Sequence, residues 1–154
     1  MSDFLLELGK NPQARKMIKS LGLPIPMPQE LSRAKGSEEV RCLAGQDIAI
    51  SVPQGSALAK GVSYTLAEAG ANLHVVGGAA ATKNFSDASE AFGRPLQELL
   101  LQEESAEAKR FSALILDASH ITKIEDLQEL YNFFHVLVSR IERCGRVVLL
   151  GRPP

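Results

Sequence analysis

A short loop after an apolar run is the first place where residue types could hold a ligand. The stretch DIAISV is followed by Pro53, Gln54, Gly55 and Ser56, and then by Gly61. A dinucleotide loop needs closely spaced glycines so that the backbone can approach a pyrophosphate at the start of a helix. This loop fits neither the GxGxxG nor the GxxxGxG pattern. We therefore predict a structural turn, with Gln54, Gly55 and Ser56 as weak cofactor-binding candidates and Gly61 as a close-packing residue.

A second stretch, Asp117–His120, contains the side-chain types of a hydrolytic triad. No nucleophile elbow accompanies it, and the spacing does not order a Ser/His/Asp set. Turn and capping roles for Asp117 and Ser119 are the simpler interpretation. Tyr64 and Tyr131 are not followed by Lys four positions later, so the YxxxK proton-relay pair is absent. We predict no catalytic residue in this chain.

Residues that bind metals are sparse in the sequence. The two cysteines, Cys42 and Cys144, form no CxxC pair, and no Cys/His cluster has zinc spacing. His74 in a predicted strand and His135 on a predicted helix are interpreted as structural. We predict no metal site and two reduced thiols, as expected in the cytoplasm.

Charge and hydropathy exclude several classes of partner. The chain of 154 residues carries 17 basic and 18 acidic residues, whereas a nucleic-acid binder or an anionic-membrane binder needs a basic excess. No apolar run approaches the roughly 18 residues of a membrane span. We expect a cytoplasmic domain without nucleic-acid or membrane partners.

The elements that must position these residues alternate between strands and helices. Short apolar runs rich in β-branched residues predict four strands, namely Asp47–Val52, Leu73–Val76, Ala113–Asp117 and Val147–Leu150. Helical spacing predicts a helix from Ser56 to Gly70 and another over Pro95–Ala108. A capping box at Thr122–Glu125 opens a third helix, whose apolar stripe runs from Leu127 to Ile141 and which ends at Gly145. Residues 79–92 carry no clear pattern.

This alternation predicts an α/β fold. Parallel pairing with right-handed crossovers gives a doubly wound, mainly parallel sheet of about four to five strands, flavodoxin-like or Rossmann-like. Before it, we predict two short helical pieces, with Asn11 and Pro12 at the start of the second and Gly22 at its end. The Pro-rich stretch 23–28 is expected to be extended, and residues 29–39 to form a loop.

We expect a boundary at residue 39, with a helical and Pro-rich extension over residues 1–39 and a flavodoxin-like domain over residues 40–154. The sequence stops at Gly151–Pro154, directly after a strong strand. We expect a domain junction there, which would make this chain truncated before a catalytic domain.

Three stretches resemble one known family. Leu21–Pro26 resembles the LGLPxP signature of high-molecular-weight 3-oxoacyl-ACP reductases, which belong to the short-chain dehydrogenase/reductase family. Leu114–Thr122, Leu127–His135 and Cys144–Pro153 resemble the end of that family's N-terminal flavodoxin-type domain. Order and spacing agree over most of the chain, and residues 79–109 match only loosely.

The resemblance implies an oxidoreductase of fatty acid metabolism whose ketoreductase domain and NAD(H) site lie downstream. The family's catalytic Ser, Tyr, Lys and Asn belong to that part, so none is carried onto a residue here and no cofactor is expected in this fragment. The expected partners are the C-terminal ketoreductase domain of the same chain and a second copy in a homodimer. The N-terminal domain would support dimer assembly and shape the substrate entrance.

Two alternatives remain open. The chain could be a stand-alone nucleotide- or flavin-binding module that uses Gln54, Gly55, Ser56, Gly77 and Gly78. A receiver-like signalling domain would need clustered acidic residues at strand ends, and Asp117 stands largely alone in the sequence. Acyl-chain length and the choice between NADH and NADPH are not encoded in these residues.

Overall fold

The structure is a computed structural model that describes residues 4–22, 41–101 and 109–152. The chain divides into two compact units, Met1–Gly36 and Ser37–Pro154. The expectations for the Pro-rich stretch 23–28 and for residues 29–39 lie outside the described residues.

The N-terminal unit contains helices α1 (Phe4–Lys10) and α2 (Pro12–Ser20). The Asn11 side chain accepts hydrogen bonds from the amides of Gln13 and Ala14, at 2.9 and 3.4 Å, so it caps α2 as predicted. Gly22 follows the helix with a φ of +65°, which confirms the predicted stop.

The second unit is a five-stranded parallel sheet with helices on both faces. Its strands are β1 (Asp47–Ser51), β2 (Asn72–Val76), β3 (Leu96–Glu98), β4 (Phe111–Asp117) and β5 (Ile141–Leu150). Its helices are α3 (Ala59–Glu68), α4 (Gly78–Phe92) and α5 (Leu127–Leu137), the last continued by a 3₁₀ turn over Val138–Arg140. The predicted doubly wound α/β class is confirmed.

The strand order distinguishes between the two folds that the sequence allowed. Along the sheet it reads β3-β2-β1-β4-β5, which is the Rossmann order, whereas the flavodoxin order begins 2-1-3. The sequence pattern did not reveal β3. The four strands that it did reveal lie in the order 2-1-3-4, which matches the flavodoxin order. The short edge strand β3 therefore makes the fold Rossmann-like and not flavodoxin-like, so the flavodoxin part of the expectation is corrected.

Two hydrophobic clusters, one on each face of the sheet, form the core. Alternate residues of the central strands point to opposite faces, so Ile48 and Ile50 join the cluster under α3 and α4, whereas Ala49 joins the cluster under α5. The buried residues of the α5 cluster are Ala49, Val76, Phe111, Leu114, Leu116, Phe133 and Leu137. Burial on both faces explains why the central strands are continuous apolar runs.

The predicted helix over Pro95–Ala108 is wrong. Leu96–Glu98 pairs with β2 as an edge strand, and residues 102–108 lie outside the described part. The apolar spacing of Leu96, Leu99 and Leu100 resembled a helical stripe because three strand residues are too few to show a period of two. A helix occurs instead over Gly78–Phe92, where the sequence had given no prediction.

The predicted start and end of α5 also differ from the structure. The Thr122–Glu125 capping box does not form. The Asp126 carboxylate instead accepts hydrogen bonds from the amides of Thr122 and Lys123, and the helix begins at Leu127. The helix ends well before Gly145, because Ile141 already belongs to β5.

An irregularity interrupts β5 near its start. The register with β4 shifts between Phe111, which pairs with Ile141, and Ala113, which pairs with Arg146. Cys144 has a φ of +64° at this bulge, and Gly145 packs so closely that an added Cβ would lie 2.5 Å from Ile141 Cγ2. The regular part of β5 is therefore Arg146–Leu150.

Candidate functional site

The carboxyl ends of β1 and β4 are neighbours at the point where the strand order reverses. In open α/β sheets, ligands bind in the crevice outside this point. The loop Pro53–Ser56 leaves β1 there, and Asp117 is the last residue of β4. This topology makes the β1 loop and the end of β4 the candidate site.

A direct hydrogen bond joins the β1 loop to the end of β4 at this candidate site. The Ser56 hydroxyl donates to Asp117 Oδ2 at 2.5 Å, across 61 residues of sequence. The other oxygen of the carboxylate, Oδ1, accepts the backbone amide of Ser119 at 2.9 Å. The predicted turn role of Asp117 and Ser119 is confirmed by this second bond. The contact of Asp117 with Ser56 was not predicted.

The Asp117 carboxyl is fully buried and still favours the charged form. Burial works to raise its pKa, but the hydrogen bonds from Ser56 and Ser119 and the positive potential of His120 outweigh burial. The net result is a pKa below the ordinary value of 3.8. The crevice at β1 and β4 therefore contains a negative charge, and hydrogen bonds from Ser56 and Ser119 stabilise it.

The weak cofactor candidates are all in the β1 loop. Gly55 has a φ of +80° that the turn requires, Gln54 is exposed, and Ser56 holds Asp117. Ser56 also forms the turn before α3, because its Oγ accepts the Leu58 amide at 3.1 Å and its carbonyl accepts the Ala59 amide at 3.2 Å. Two amides at the start of α3, those of Leu58 and Ala59, are thus bonded to Ser56.

Gly61 does not have the predicted packing role. An added Cβ would meet no atom within 4 Å, because the residue lies on the exposed side of α3. Gly77 and Gly78 are the further candidates of the binding-module alternative. Gly77 lies between β2 and α4 and Gly78 is the first residue of α4, with φ values of +127° and +79°. Glu98 Oε1 would lie 3.8 Å from a Cβ on Gly78.

His120 lies beside Asp117, and its Nε2 is 2.8 Å from Glu129 Oε2. Its Nδ1 is buried without a hydrogen-bond partner among the described residues. His135 stacks on Tyr131 with ring centroids 4.9 Å apart on the surface of α5. Within the described part of the chain, no group of His, Cys, Asp or Glu side chains could hold a metal ion.

A second polar cluster lies at the opposite end of the sheet, near the amino ends of its strands. Asp47 Oδ1 is 2.7 Å from Nε2 of the buried His74 and 2.9 Å from Lys109 Nζ. The Asn72 amide donates to the same oxygen at 3.4 Å. Burial works to raise the pKa of Asp47, but Lys109 and His74 lower it further than burial raises it. Open α/β sheets bind ligands at the carboxyl ends of their strands, whereas this cluster lies at the amino ends. The cluster is therefore structural, and His74 has the predicted structural role.

Comparisons with known proteins place the chain in no family. No protein-family model matches the sequence, and no curated protein matches it. Solved structures that share the general arrangement include TrmN from Thermus thermophilus, with 13% identity, a TM-score of 0.48 and coverage of 70% of this chain and 33% of that one. The CcbJ methyltransferase from Streptomyces caelestis has 16% identity, a TM-score of 0.49 and coverage of 70% and 44%.

A protein assigned as a short-chain dehydrogenase from Pseudomonas syringae has 15% identity, a TM-score of 0.41 and coverage of 71% and 57%. The chain spans 33% and 44% of the first two of these proteins. No described helix is both long and apolar enough to cross a membrane. The assignment therefore depends on the strand order, and the second unit is a Rossmann-like α/β domain.

Proposed function

We propose that this chain is the non-catalytic N-terminal domain of a short-chain dehydrogenase/reductase. The parent enzyme would be an NAD(H)-dependent 3-oxoacyl-ACP or acyl-CoA reductase, which reduces a β-keto group to a hydroxyl by hydride transfer. The domain itself would act as a scaffold and as a dimer and substrate-entrance interface. The resemblance of Leu21–Pro26, Leu114–Thr122 and Cys144–Pro153 to that family supports the parentage.

The hydrogen bond between Ser56 and Asp117 is the observation that supports a non-catalytic role most strongly. A pyrophosphate at this crevice is bound by free amides at the start of the helix. Here the Asp117 carboxylate contributes a negative charge, and Ser56 accepts the amides of Leu58 and Ala59 at the start of α3. A phosphate placed there would compete with Ser56 for these two amides and would meet the negative charge of Asp117.

Binding of nucleotides to the purified chain tests this proposal. Melting temperatures are measured with NADH, NADPH and FMN over a wide range of concentrations. A ligand at one hundred times its Kd stabilises a protein by about 2.7 kcal/mol, which is easily measured. We expect no saturable shift and no reduction of acetoacetyl-CoA by NADH. A reduction by this chain alone would contradict the proposal.

A saturable rise in melting temperature would instead support the stand-alone nucleotide- or flavin-binding module. The positive φ angles of Gly77 and Gly78 at the start of α4 give that alternative a second loop beside the crevice. Replacing Gly77 with Ala should then abolish the shift, and Gly61→Ala should leave it unchanged.

The parentage has a separate test. The gene that encodes this chain is sequenced beyond the codon for Pro154. We expect a GxxxGxG loop followed by the Ser and YxxxK of a ketoreductase domain. A different domain at that place would contradict the parentage and leave the nucleotide result untouched.

A further inference from the structure

The two units of the chain carry net charges of opposite sign. The first unit, Met1–Gly36, has six basic and three acidic residues, whereas the second unit, Ser37–Pro154, has eleven basic and fifteen acidic residues. Charge asymmetry between parts of a chain is typical of contact with an anionic partner. The balanced total, from which we expected no membrane partner, therefore does not describe the first unit.

Three of the basic residues of the first unit lie on helix α2. Arg15, Lys16 and Lys19 are all exposed, and the helix contains no acidic residue. At about 100° per residue, these three residues fall within a sector of roughly 100° on one side of the helix. Within the described part of the chain, none of the three forms an ion pair with a carboxylate. Their charges are therefore free to attract an anionic partner.

The same helix also exposes apolar side chains. Met17 is 64% exposed, and Leu21, the residue that follows the helix, is 59% exposed. The two residues are four positions apart, so they lie one above the other on the same side. Ala14 and Ile18 are only partly buried, and no residue of α2 is fully buried. Met17 and Leu21 thus form an exposed apolar edge on α2.

The apolar edge and the basic sector border one exposed surface of the helix. Lys16 and Met17 are turned about 100° from each other around the helix axis, and the exposed, uncharged Gln13 and Ser20 lie between them. The aliphatic part of a lysine can lie along an apolar surface while its ammonium group reaches the charged layer. One partner surface can therefore contact both the apolar edge and Lys16.

We propose that α2 lies on the surface of an anionic lipid bilayer, with its axis in the plane of the bilayer. Met17 and Leu21 enter the boundary between headgroups and acyl chains, and lipid phosphates attract Arg15, Lys16 and Lys19. Helices at this boundary combine a basic polar face with an apolar face and need no spanning length. This membrane contact goes beyond the proposed scaffold function and is independent of it.

The composition of α2 favours lipid over an acidic protein as the partner. Lysine is depleted and aromatic residues are enriched in protein interfaces, whereas α2 has two lysines and no aromatic residue. Two exposed apolar residues are also too few for the buried centre on which protein interfaces depend. Attraction to an anionic bilayer needs no such centre, since each basic residue near the surface raises the affinity about fivefold.

Sedimentation of the full chain with vesicles tests the contact. Vesicles with equal parts of phosphatidylglycerol and phosphatidylcholine are compared with vesicles of phosphatidylcholine alone. We expect binding to the anionic vesicles only, and weaker binding as the salt concentration rises, because salt screens exposed charges.

Two pairs of lysine variants locate the contact. The double variant Lys16→Gln, Lys19→Gln should weaken binding to the anionic vesicles about 25-fold, because two attractions are lost. The double variant Lys60→Gln, Lys83→Gln is the matched control. It changes the net charge equally at two exposed positions of the second unit and should bind like the wild-type chain. Circular dichroism verifies the folding of each variant.

Apolar variants test the insertion of the apolar edge. The double variant Met17→Gln, Leu21→Gln should weaken binding to the anionic vesicles at least about tenfold, because two apolar side chains no longer leave water. Leu100→Gln is the control, because Leu100 is 62% exposed on the second unit, and it should bind like the wild-type chain. A loss for the lysine variants without a loss for Met17→Gln, Leu21→Gln would overturn the insertion.

Three other results would overturn the proposal as a whole. These are equal binding to anionic and neutral vesicles, no binding to either, and equal losses for the lysine variants of α2 and of the second unit. Soluble poly-glutamate is a further probe. A chain that binds poly-glutamate but no vesicles would also overturn the lipid contact and would indicate an acidic protein as the partner.

Discussion

The Ser56 hydroxyl donates a hydrogen bond to the buried Asp117 carboxylate and so joins the loop after β1 to the end of β4. Ser56 lies in the loop after β1, and Asp117 is the last residue of the adjacent central strand β4, at the point where a Rossmann-like sheet normally holds its ligand. This contact also fixes the loop after β1, so its removal should have a measurable cost.

Ser56→Ala should lower the free energy of unfolding by about 1–3 kcal/mol, because the buried carboxylate loses one of its donors. Urea titration measures the change. Ser86→Ala on α4 is the control, because that hydroxyl is partly exposed and donates only to the Lys83 carbonyl. A change within about 0.5 kcal/mol is expected for it. Equal losses for the two variants would contradict the assigned role of Ser56.

Asp117→Asn should flatten the dependence of stability on acid pH. The folded pKa of Asp117 lies below the ordinary value of 3.8, so its contribution is present above that value and is lost as the pH falls through the folded pKa. The wild-type chain should therefore lose stability more steeply than the variant below about pH 5. Asp87→Asn, at an exposed position of α4, should keep the wild-type slope. Parallel curves for wild type and Asp117→Asn would refute the assignment.

Two variants of the cluster formed by Asp47, His74 and Lys109 should lower the free energy of unfolding by different amounts. Asp47→Ala leaves the buried His74 without its carboxylate, and we expect a loss of about 1–3 kcal/mol at neutral pH. Lys109 is 46% exposed, so solvent screens its interaction with Asp47 and Lys109→Ala should cost at most about 1 kcal/mol. Chemical denaturation compares the two variants. The reverse order of losses would show that the lysine, and not the histidine, anchors the cluster.

Two glycine replacements should change the stability of the domain in opposite directions. Gly145→Ala places a Cβ 2.5 Å from Ile141 Cγ2 and 3.0 Å from the Glu142 carbonyl, so it should destabilise the domain by about 1–3 kcal/mol. Gly61→Ala adds a methyl group on the open side of α3 and should stabilise by about 0.4–1 kcal/mol, because Gly costs helix entropy. Differential scanning calorimetry distinguishes a fall from a rise in Tm. A stabilising Gly145→Ala would contradict the tight bulge.

The sequence predicted the central strands because these strands are buried on both faces and are therefore continuous apolar runs. The edge of the sheet was harder to predict. Leu96–Glu98 is three residues long and mostly exposed, so neither length nor alternation marked it as a strand. Missing it changed the apparent strand order from Rossmann to flavodoxin.

The limits of α5 and the site show two further reasons for error. The apolar stripe continued from the helix into β5, because Ile141 fits both the helical period and a strand that begins at the same residue. Ser56 and Asp117 are 61 residues apart, so only the parallel pairing of β1 with β4 brings them together. Composition and spacing predicted that both are turn residues, and both do lie at turns. Their mutual hydrogen bond depends on the tertiary structure and could not be predicted in this way.

The bulge at Cys144 has a consequence for behaviour at high concentration. An exposed edge strand is a template on which further strands can add without limit, which leads to aggregation. The positive φ of Cys144 and the register shift beside it bend this edge and leave only Arg146–Leu150 in regular form. Five residues with an arginine at one end are a poor template for fibril growth. The irregularity therefore protects the exposed edge of the sheet against the addition of further strands.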